Sequence, residues 1–315
     1  MKNYSTKRKI IVGASAAFLL AVGVILYLLA DRYLIEHVEI DNANVVTSSI
    51  SGVAALKEVS EPSQSIEADD WNYQNETVSI AIEKVVTGSG KDTVTYFVAD
   101  VVLSEATDLQ SAFAKNKFGR NIIEYTSQIA EDNNAIFAIN GDYYGFRSDG
   151  IVIRNGVIYR DDPVRTGLAF YTDGSVQIYD ETQTSAQELL DEGVWNTLSF
   201  GPALLEDSEI SANLTNVEVD TNFGNHSIQG NQPRTGVGII DNNHFVFVVV
   251  DGRSSGYSKG VNLVEFAQIF KDLGCTVAYN VDGGGSSTMY FMGRVVNNPL
   301  GANKERGTSD ILFIG

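Results

Sequence analysis

The stretch Asn262–Thr288, NLVEFAQIFKDLGCTVAYNVDGGGSST, decides how this chain is built. Its apolar residues at 263, 264, 266, 269, 270 and 273 recur at the helical period, so 262–273 reads as an amphipathic helix. Thr276–Val281 (TVAYNV) reads as a strand, and it runs out into Asp282 and three glycines. A second stretch has the same plan. Asn121–Glu131 (NIIEYTSQIAE) has helical periodicity and leads into the strand Ala135–Asn140 (AIFAIN) and the acidic turn Gly141-Asp142. Another echo pairs Arg165-Thr166-Gly167, running into the turn Thr172-Asp173-Gly174, with Arg234-Thr235-Gly236, running into Asp241-Asn242-Asn243. Both read as hairpins. Together the echoes point to a duplicated half-domain whose units differ in order.

Outward from there the pattern stays rich in strands. TVSIAIEKVV from Thr77 and TVTYFVADVVL from Thr93 flank the turn signal Gly88–Asp92, a hairpin. Residues 181–232 are polar, with a short helix signal at Ser185–Glu192 and a loop-like stretch from Asn213 to Pro233. Helices and strands do not alternate regularly, which excludes a doubly wound α/β fold. The expected class is α+β, with β-rich mixed sheets and a few helices.

The 315 residues leave room for one large domain or two small ones, and 43 % apolar residues mark an ordinary globular chain. The lone Cys275 excludes an internal disulfide framework, which suits a bacterial surface, and it reads as a small buried hydrophobe. Net charge is −18, but Lys2, Lys7, Arg8 and Lys9 precede residue 30 without any acid. The body therefore carries a net of −22, and nucleic acid is excluded as a partner because phosphate backbones need a basic footprint.

Ile10–Ala30 runs 21 residues without a charge. As a helix it spans roughly 31 Å, matching a bilayer core of about 30 Å. The basic flank before it places the N-terminus in the cytoplasm and the body outside. A cleaved signal peptide is the competing reading, but the apolar run is long and no clear small-x-small site follows it. The expected organisation is a cytoplasmic basic tail (1–9), a membrane anchor (10–30), a stalk (31–75) and one folded domain (76–315).

Most catalytic signatures are absent. There are three histidines and no His-Glu-x-x-His; Ser286 is not in Gly-x-Ser-x-Gly, since Thr occupies position 288. Gly283-Gly284-Gly285 lets backbone turn sharply and come close to a ligand, and Ser286, Ser287 and Thr288 add hydroxyls. From Asn121 to Ser258 every basic residue is arginine: Arg147, Arg154, Arg160, Arg165, Arg234 and Arg253. Arginine grips phosphate through a planar fork where lysine offers a point charge. Asn140-Gly141-Asp142-Tyr143-Tyr144 sets aromatics beside an amide and an acid, a common arrangement around sugars.

In order along the chain, Ala138–Tyr144, Ser199–Pro202, Pro233–Gly236, Val250–Arg253 with Ser258 and Gly260, Asn280–Thr288 and Glu305-Arg306 resemble the successive motifs of the phosphodiester glycosidase family. The resemblance covers roughly Thr77 to Gly315 and departs at Asp142, where the family often has a second glycine. It implies cleavage of the glycosidic C1–O bond of a sugar-1-phosphodiester, releasing sugar and a phosphomonoester; many bacterial members are described as exopolysaccharide-related. On this reading Asp282 is the catalytic carboxylate and Asp251 the second acid. Arg234, Arg253, the Gly283, Gly284, Ser286, Ser287 and Thr288 backbone and hydroxyls, and Arg306 clamp phosphate. Asn140, Gly141 and Asp142 hold sugar hydroxyls. No cofactor is required, although Asp251 and Asp282 also suit a divalent cation. The contrasting reading is a non-catalytic, membrane-anchored module that binds phosphoglycan.

Overall fold

The computed structural model describes residues 2–42, 66–219 and 227–315. Two sheets face each other across the main core. The large sheet has nine strands in the order Glu209–Ile210, Ala203–Glu206, Val277–Val281, Arg234–Asp241, His244–Val250, Val94–Leu103, Val78–Thr87, Asn72–Gln74 and Glu67–Ala68. The small sheet has five, in the order Arg294–Val295, Met289–Phe291, Phe137–Asn140, Asp310–Ile314 and Gln110–Phe113. This is an α+β fold with a β-rich core.

The very apolar run 244–250 is explained by burial on both of its faces. Phe245, Phe247 and Val249 point toward the small sheet and meet Phe137, Ile139, Phe291, Leu312 and Ile314. Val246, Val248 and Val250 point the other way, toward the helix Leu263–Asp272 with its Leu263, Phe266 and Phe270. On the outer face of the small sheet lies a second helix, Thr126–Asp132, whose Ile129 and Ala130 cover Ala112, Ala138, Ile311 and Phe313. The layers are therefore helix, sheet, sheet, helix.

Two of the domain's helices are capped by their local chemistry. Asn262 and Glu265 form a reciprocal capping box, as do Ser185 and Glu188 at the start of the helix Ala186–Asp191. The helix expected over 121–131 begins later, at Thr126, because Asn121 adopts the left-handed region (φ 59°) and its amide N–H bonds Gly145 instead of starting a turn. Every ladder between described strands is antiparallel, so the sheets are not mixed in direction. The reason is local. The helix 263–272 carries the chain from 244–250 to 277–281, which both pair antiparallel with the strand 234–241 lying between them.

The region expected as a stalk behaves differently where it is described. His37–Asp41 pairs with Lys117–Arg120, and Glu67–Ala68 and Asn72–Gln74 extend the large sheet. The sheet thus begins before residue 76; the part of the stalk from 43 to 65 lies outside the described residues. Lys2–Tyr33 is one helix, and its segment Val12–Arg32 is long and apolar enough to cross a membrane, with none of it buried by the domain. Such a helix fits an anchor or a signal sequence.

Close approach of the helix 263–272 to the large sheet depends on glycine. A Cβ at Gly238 would lie 2.5 Å from Phe270 and 2.6 Å from the Cys275 sulfur; one at Gly236 would lie 2.9 Å from Phe266. Gly238→Ala is therefore expected to lower stability by about 1–3 kcal/mol, the usual range for overpacking. A lower urea midpoint at unchanged slope checks this.

Candidate active site

The strands 137–140, 234–241 and 277–281 converge where Asn140, Thr235 and Asp282 meet. Asn140 is fully buried. Its amide nitrogen donates to the Asp282 carbonyl (2.6 Å), and its oxygen accepts from the Thr235 hydroxyl (2.8 Å) and the Thr288 N–H (3.2 Å). One side chain thus ties the small sheet to two strands' ends in the large one.

Beside this joint opens a pocket with about 640 Å³ of empty space, part of it open solvent. Asp282, Gly283, Gly284, Arg234, Arg253 and Arg306 line it together with Tyr143, Phe200, Gln232 and Asn280. Its described wall carries three guanidinium groups and one carboxylate, a local reversal in a chain of net charge −18. Arg306 Nη2 lies 3.1 Å from the Asp282 carboxylate and 2.7 Å from the Ser286 hydroxyl. Burial raises the Asp282 carboxyl above the ordinary carboxylate range, and Arg306 pulls against that rise. Arg234 is buried, and its recorded hydrogen bonds run to the carbonyls of Val261, Ile228 and Gly230 rather than to an acid. Burial, reinforced by Arg253, brings it down to about 10, so it stays a cation at neutral pH. Arg253 Nε holds Gln232 at 2.9 Å from a backbone in the left-handed region (φ 58°), an uncommon state for a long side chain.

The three glycines each make room for something different. A Cβ at Gly283 would lie 2.9 Å from the Pro233 carbonyl. One at Gly284 (φ 64°) would lie 3.3 Å from the Arg253 guanidinium, and one at Gly285 would lie 3.1 Å from the Arg306 stem. The run lets two arginines lie over the turn that follows Asp282.

Several residues singled out by sequence are elsewhere. Asp251 is buried off the pocket wall, with its carboxylate engaged by Asn297 Nδ2 (2.8 Å), the Asn298 N–H (3.0 Å) and the Tyr257 hydroxyl (2.7 Å). It braces the loop that carries Ser287, since Asn297 also donates to the Ser287 carbonyl. Its engaged oxygens do not fit a shared cation site with Asp282, and no cluster of three His, Cys, Asp or Glu occurs among the described residues. Asp142 accepts from the N–H groups of Tyr143 and Ser199 and sits 3.8 Å from Arg154, which also pairs with Asp310 at 2.8 Å. It is thus the partner of a buried guanidinium, not a free ligand for sugar. At Gly141 a Cβ would collide with Asp310, so that glycine serves the same cluster. Asn140, Ser287 and Thr288 are buried at the joint, and the Ser286 hydroxyl sits between Arg306 and the Asp282 carboxylate, bonding to both.

Tyr143, one of the two aromatics marked beside Asp142, does line the pocket; Phe200, Gln232 and Asn280 were given no such role from sequence, nor was Arg147 behind them. Arg147 stacks between Tyr143 (5.1 Å) and Phe200 (5.0 Å) and acts electrostatically on Asp282. Tyr143 and Phe200 lie in quoted motifs, but 57 residues of sequence separate them, and only the fold brings their rings within 5.9 Å. For the buried cluster, Arg154→Ala strands two carboxylates without a counter-charge. It is expected to destabilise the fold by about 3–5 kcal/mol, read from urea or thermal unfolding.

Comparisons with known proteins agree with this architecture. A Bacillus subtilis (strain 168) protein, the SPbeta prophage-derived uncharacterized protein YomE, is 31% identical over 206 residues. That alignment takes in 62% of this chain, and the chain spans only 30% of that protein's length. The catalytic domain of zebrafish N-acetylglucosamine-1-phosphodiester alpha-N-acetylglucosaminidase, auto-inhibited by its pro-peptide, shares the fold with a TM-score of 0.60 at 20% identity. That match covers 80% of this chain and 87% of the other. A hypothetical protein from Synechocystis gives a TM-score of 0.56 at 16% identity, over 80% and 64% of the two chains. The family profile described as phosphodiester glycosidase matches residues 133–315, which hold the whole pocket wall, and the chain belongs to the phosphodiester glycosidase family.

Proposed function

We propose that this protein is a hydrolase that cleaves the glycosidic C1–O bond of sugar-1-phosphodiesters in surface glycans or exopolysaccharide. The observation that carries the reading is Asp282 itself. A pocket that only captured an anion would bind it more tightly without a carboxylate among its arginines. A carboxylate kept there, buried and held by Arg306, supports a reactive role.

The chemistry needs one such group. Water adds to C1 and the C1–O bond breaks, giving a free sugar and a phosphomonoester. Asp282 either takes the proton from that water or first attacks C1 itself, stabilising the oxocarbenium-like centre in both cases. The departing phosphomonoester carries its negative charge with a second pKa near ~6, so it leaves without a strong general acid. That removes the need for Asp251 as a second acid. Arg234, Arg253 and Arg306 oppose the charge that grows on the leaving oxygens. Tyr143 and Phe200 offer ring faces to the sugar.

The N-terminal helix supports a membrane anchor with the domain outside. Its last turn is held by the domain: the Asp31 carbonyl accepts from Asn121 Nδ2 and His37 Nε2, both at 3.0 Å. A signal peptide destined for removal has no need of such a cap.

Asp282→Asn is expected to lower turnover of a synthetic sugar-1-phosphodiester by about 10²–10⁴-fold, the scale of a lost acid–base group, with binding of the same compound retained. Full activity in Asp282→Asn sinks the assignment. Binding without any wild-type turnover, whatever the sugar, sinks the hydrolase reading in favour of a phosphoglycan-binding module. The working form of Asp282 is ionised, and its pKa lies above the ordinary carboxylate value. Activity should therefore fall as pH drops through that raised value. Arg306→Ala removes the main pull downward, so the acidic limb of kcat/KM should move to higher pH.

A further inference from the structure

We propose that the domain is seated on its own anchor, with the pocket held at the bilayer surface, and that its substrate is a glycosyl phosphodiester whose phosphate is esterified to a membrane lipid. The substrate part rests on the hydrolase reading above; the seating part does not. The decisive feature is the lack of slack. The helix Lys2–Tyr33 ends only three residues before the strand His37–Asp41, and that strand is already paired with Lys117–Arg120 of the domain. Whatever length the chain has from 43 to 65 follows that strand, so it cannot lengthen the tether.

The seat is built from polar contacts to the helix end. A helix leaves its last carbonyls without partners, and here the domain supplies donors. Asn121 Nδ2 reaches both the Asp31 carbonyl (3.0 Å) and the Ile35 carbonyl (2.9 Å), His37 adds its ring N–H to Asp31, and Lys115 pairs with Glu36. From that seat a short path leads to the pocket. Ile123, two residues beyond Asn121, packs against Gly307, where a Cβ would come within 3.0 Å of it. Glu124 and Thr308 exchange backbone hydrogen bonds (3.0 and 2.8 Å), and Glu305 accepts from the Ser127 N–H (3.0 Å) and hydroxyl (2.6 Å). Arg306, which grips Asp282, sits between these anchored positions. Adding these contacts at ~3.8 Å per residue puts the Arg306 backbone within about 25 Å of the point where the chain leaves the helix.

The surface around the seat is of the kind a bilayer covers. Leu34 (78 % exposed) and Ile35 continue the apolar span beyond its last turn, and Val38, Ile123 and Tyr125 (51 % exposed) extend the same apolar character onto the domain. Continuity with the membrane-length helix selects lipid as the occupant rather than a second protein. A pocket tethered this closely cannot follow a glycan outward. It meets phosphodiesters that are carried at the membrane, next to apolar wall residues Val219, Ile228 and Phe200.

The test uses the full chain reconstituted in phosphatidylglycerol–phosphatidylethanolamine vesicles. A fluorophore on Tyr125→Cys is expected to be quenched by nitroxide-labelled lipid. One on Gln268→Cys, on the helix covering the opposite outer layer, is expected to stay bright; Cys275 is buried and does not label. Equal response of both labels overturns the seating. For the substrate, kcat/KM is compared between one sugar-1-phosphodiester carried by a vesicle lipid and its methyl ester in solution. Inserting twelve Gly/Ser residues between Glu36 and His37, with Asn121→Gly and Lys115→Ala to release the contacts that lie before the insertion, adds roughly 20 Å of slack and is expected to cut the lipid-to-methyl preference at least threefold, with the methyl ester turned over as before. An unchanged preference overturns the lipid-ester assignment. If neither ester reacts with any sugar, the hydrolase reading and the lipid-ester assignment built on it both fall, while the labels still decide the seating.

Discussion

Everything around the pocket depends on one buried amide. Asn140 joins the small sheet to the large sheet by donating to the Asp282 carbonyl and accepting from Thr235 and Thr288. Those bonds are made in the interior, where a polar group left without a partner is expensive, so they fix the relative register of the two sheets as well as the height of Asp282. An amide can play this part because it donates and accepts at once. A carboxylate there would meet the Asp282 carbonyl oxygen with another oxygen.

The pocket inherits its electrostatics from that geometry. Asp282 is lifted out of water at the end of the strand Val277–Val281, and Arg306 closes over it from a loop pinned by Glu305 and Thr308. Arg234 and Arg253 enter beside neighbouring strands; Arg253 disfavours the charge on Arg234 and Arg306 that on Arg253, and each of the two is held by neutral oxygens instead of by acids. Guanidinium groups tolerate this because their intrinsic pKa is so high. The result is positive charge stored against a single carboxylate in a protein that is otherwise strongly acidic. The same loop that positions Arg306 is bonded to the segment 121–127, which receives the end of the N-terminal helix; that helix and the pocket share a support.

Much of the fold was legible in the order of residues. The capped, amphipathic helix after Asn262, the hairpin around Gly88–Asp92 and the helix after Ser185 all depend on neighbours within a few positions, and each formed where local chemistry placed it. The site was legible in part. Asp282, Arg234, Arg253 and Arg306 could be picked out because an acid beside consecutive glycines, and arginine in place of lysine, are unusual choices. Asp251, read as a second acid, and Asp142, read as a holder of sugar hydroxyls, both looked available on paper, since each is an acid beside glycine at a strand exit. Asn297 and Tyr257 in one case, and Arg154 with Asp310 in the other, turn them into structural groups.

Residues 10–30 alone determined that an apolar helix of membrane length stands at the N-terminus, and the periodicities alone determined a β-rich α+β domain. Local pattern suffices for both, because a helix or a strand is defined by contacts with near neighbours and by which face is apolar. Which of the acids stays available, which aromatics line the pocket and how tightly the domain sits on its helix were decided only by tertiary structure. Those properties depend on partners 46 to 168 positions away: Asn297 for Asp251, Asp310 for Asp142, Phe200 for Tyr143, and Asn121 for the carbonyls of Asp31 and Ile35.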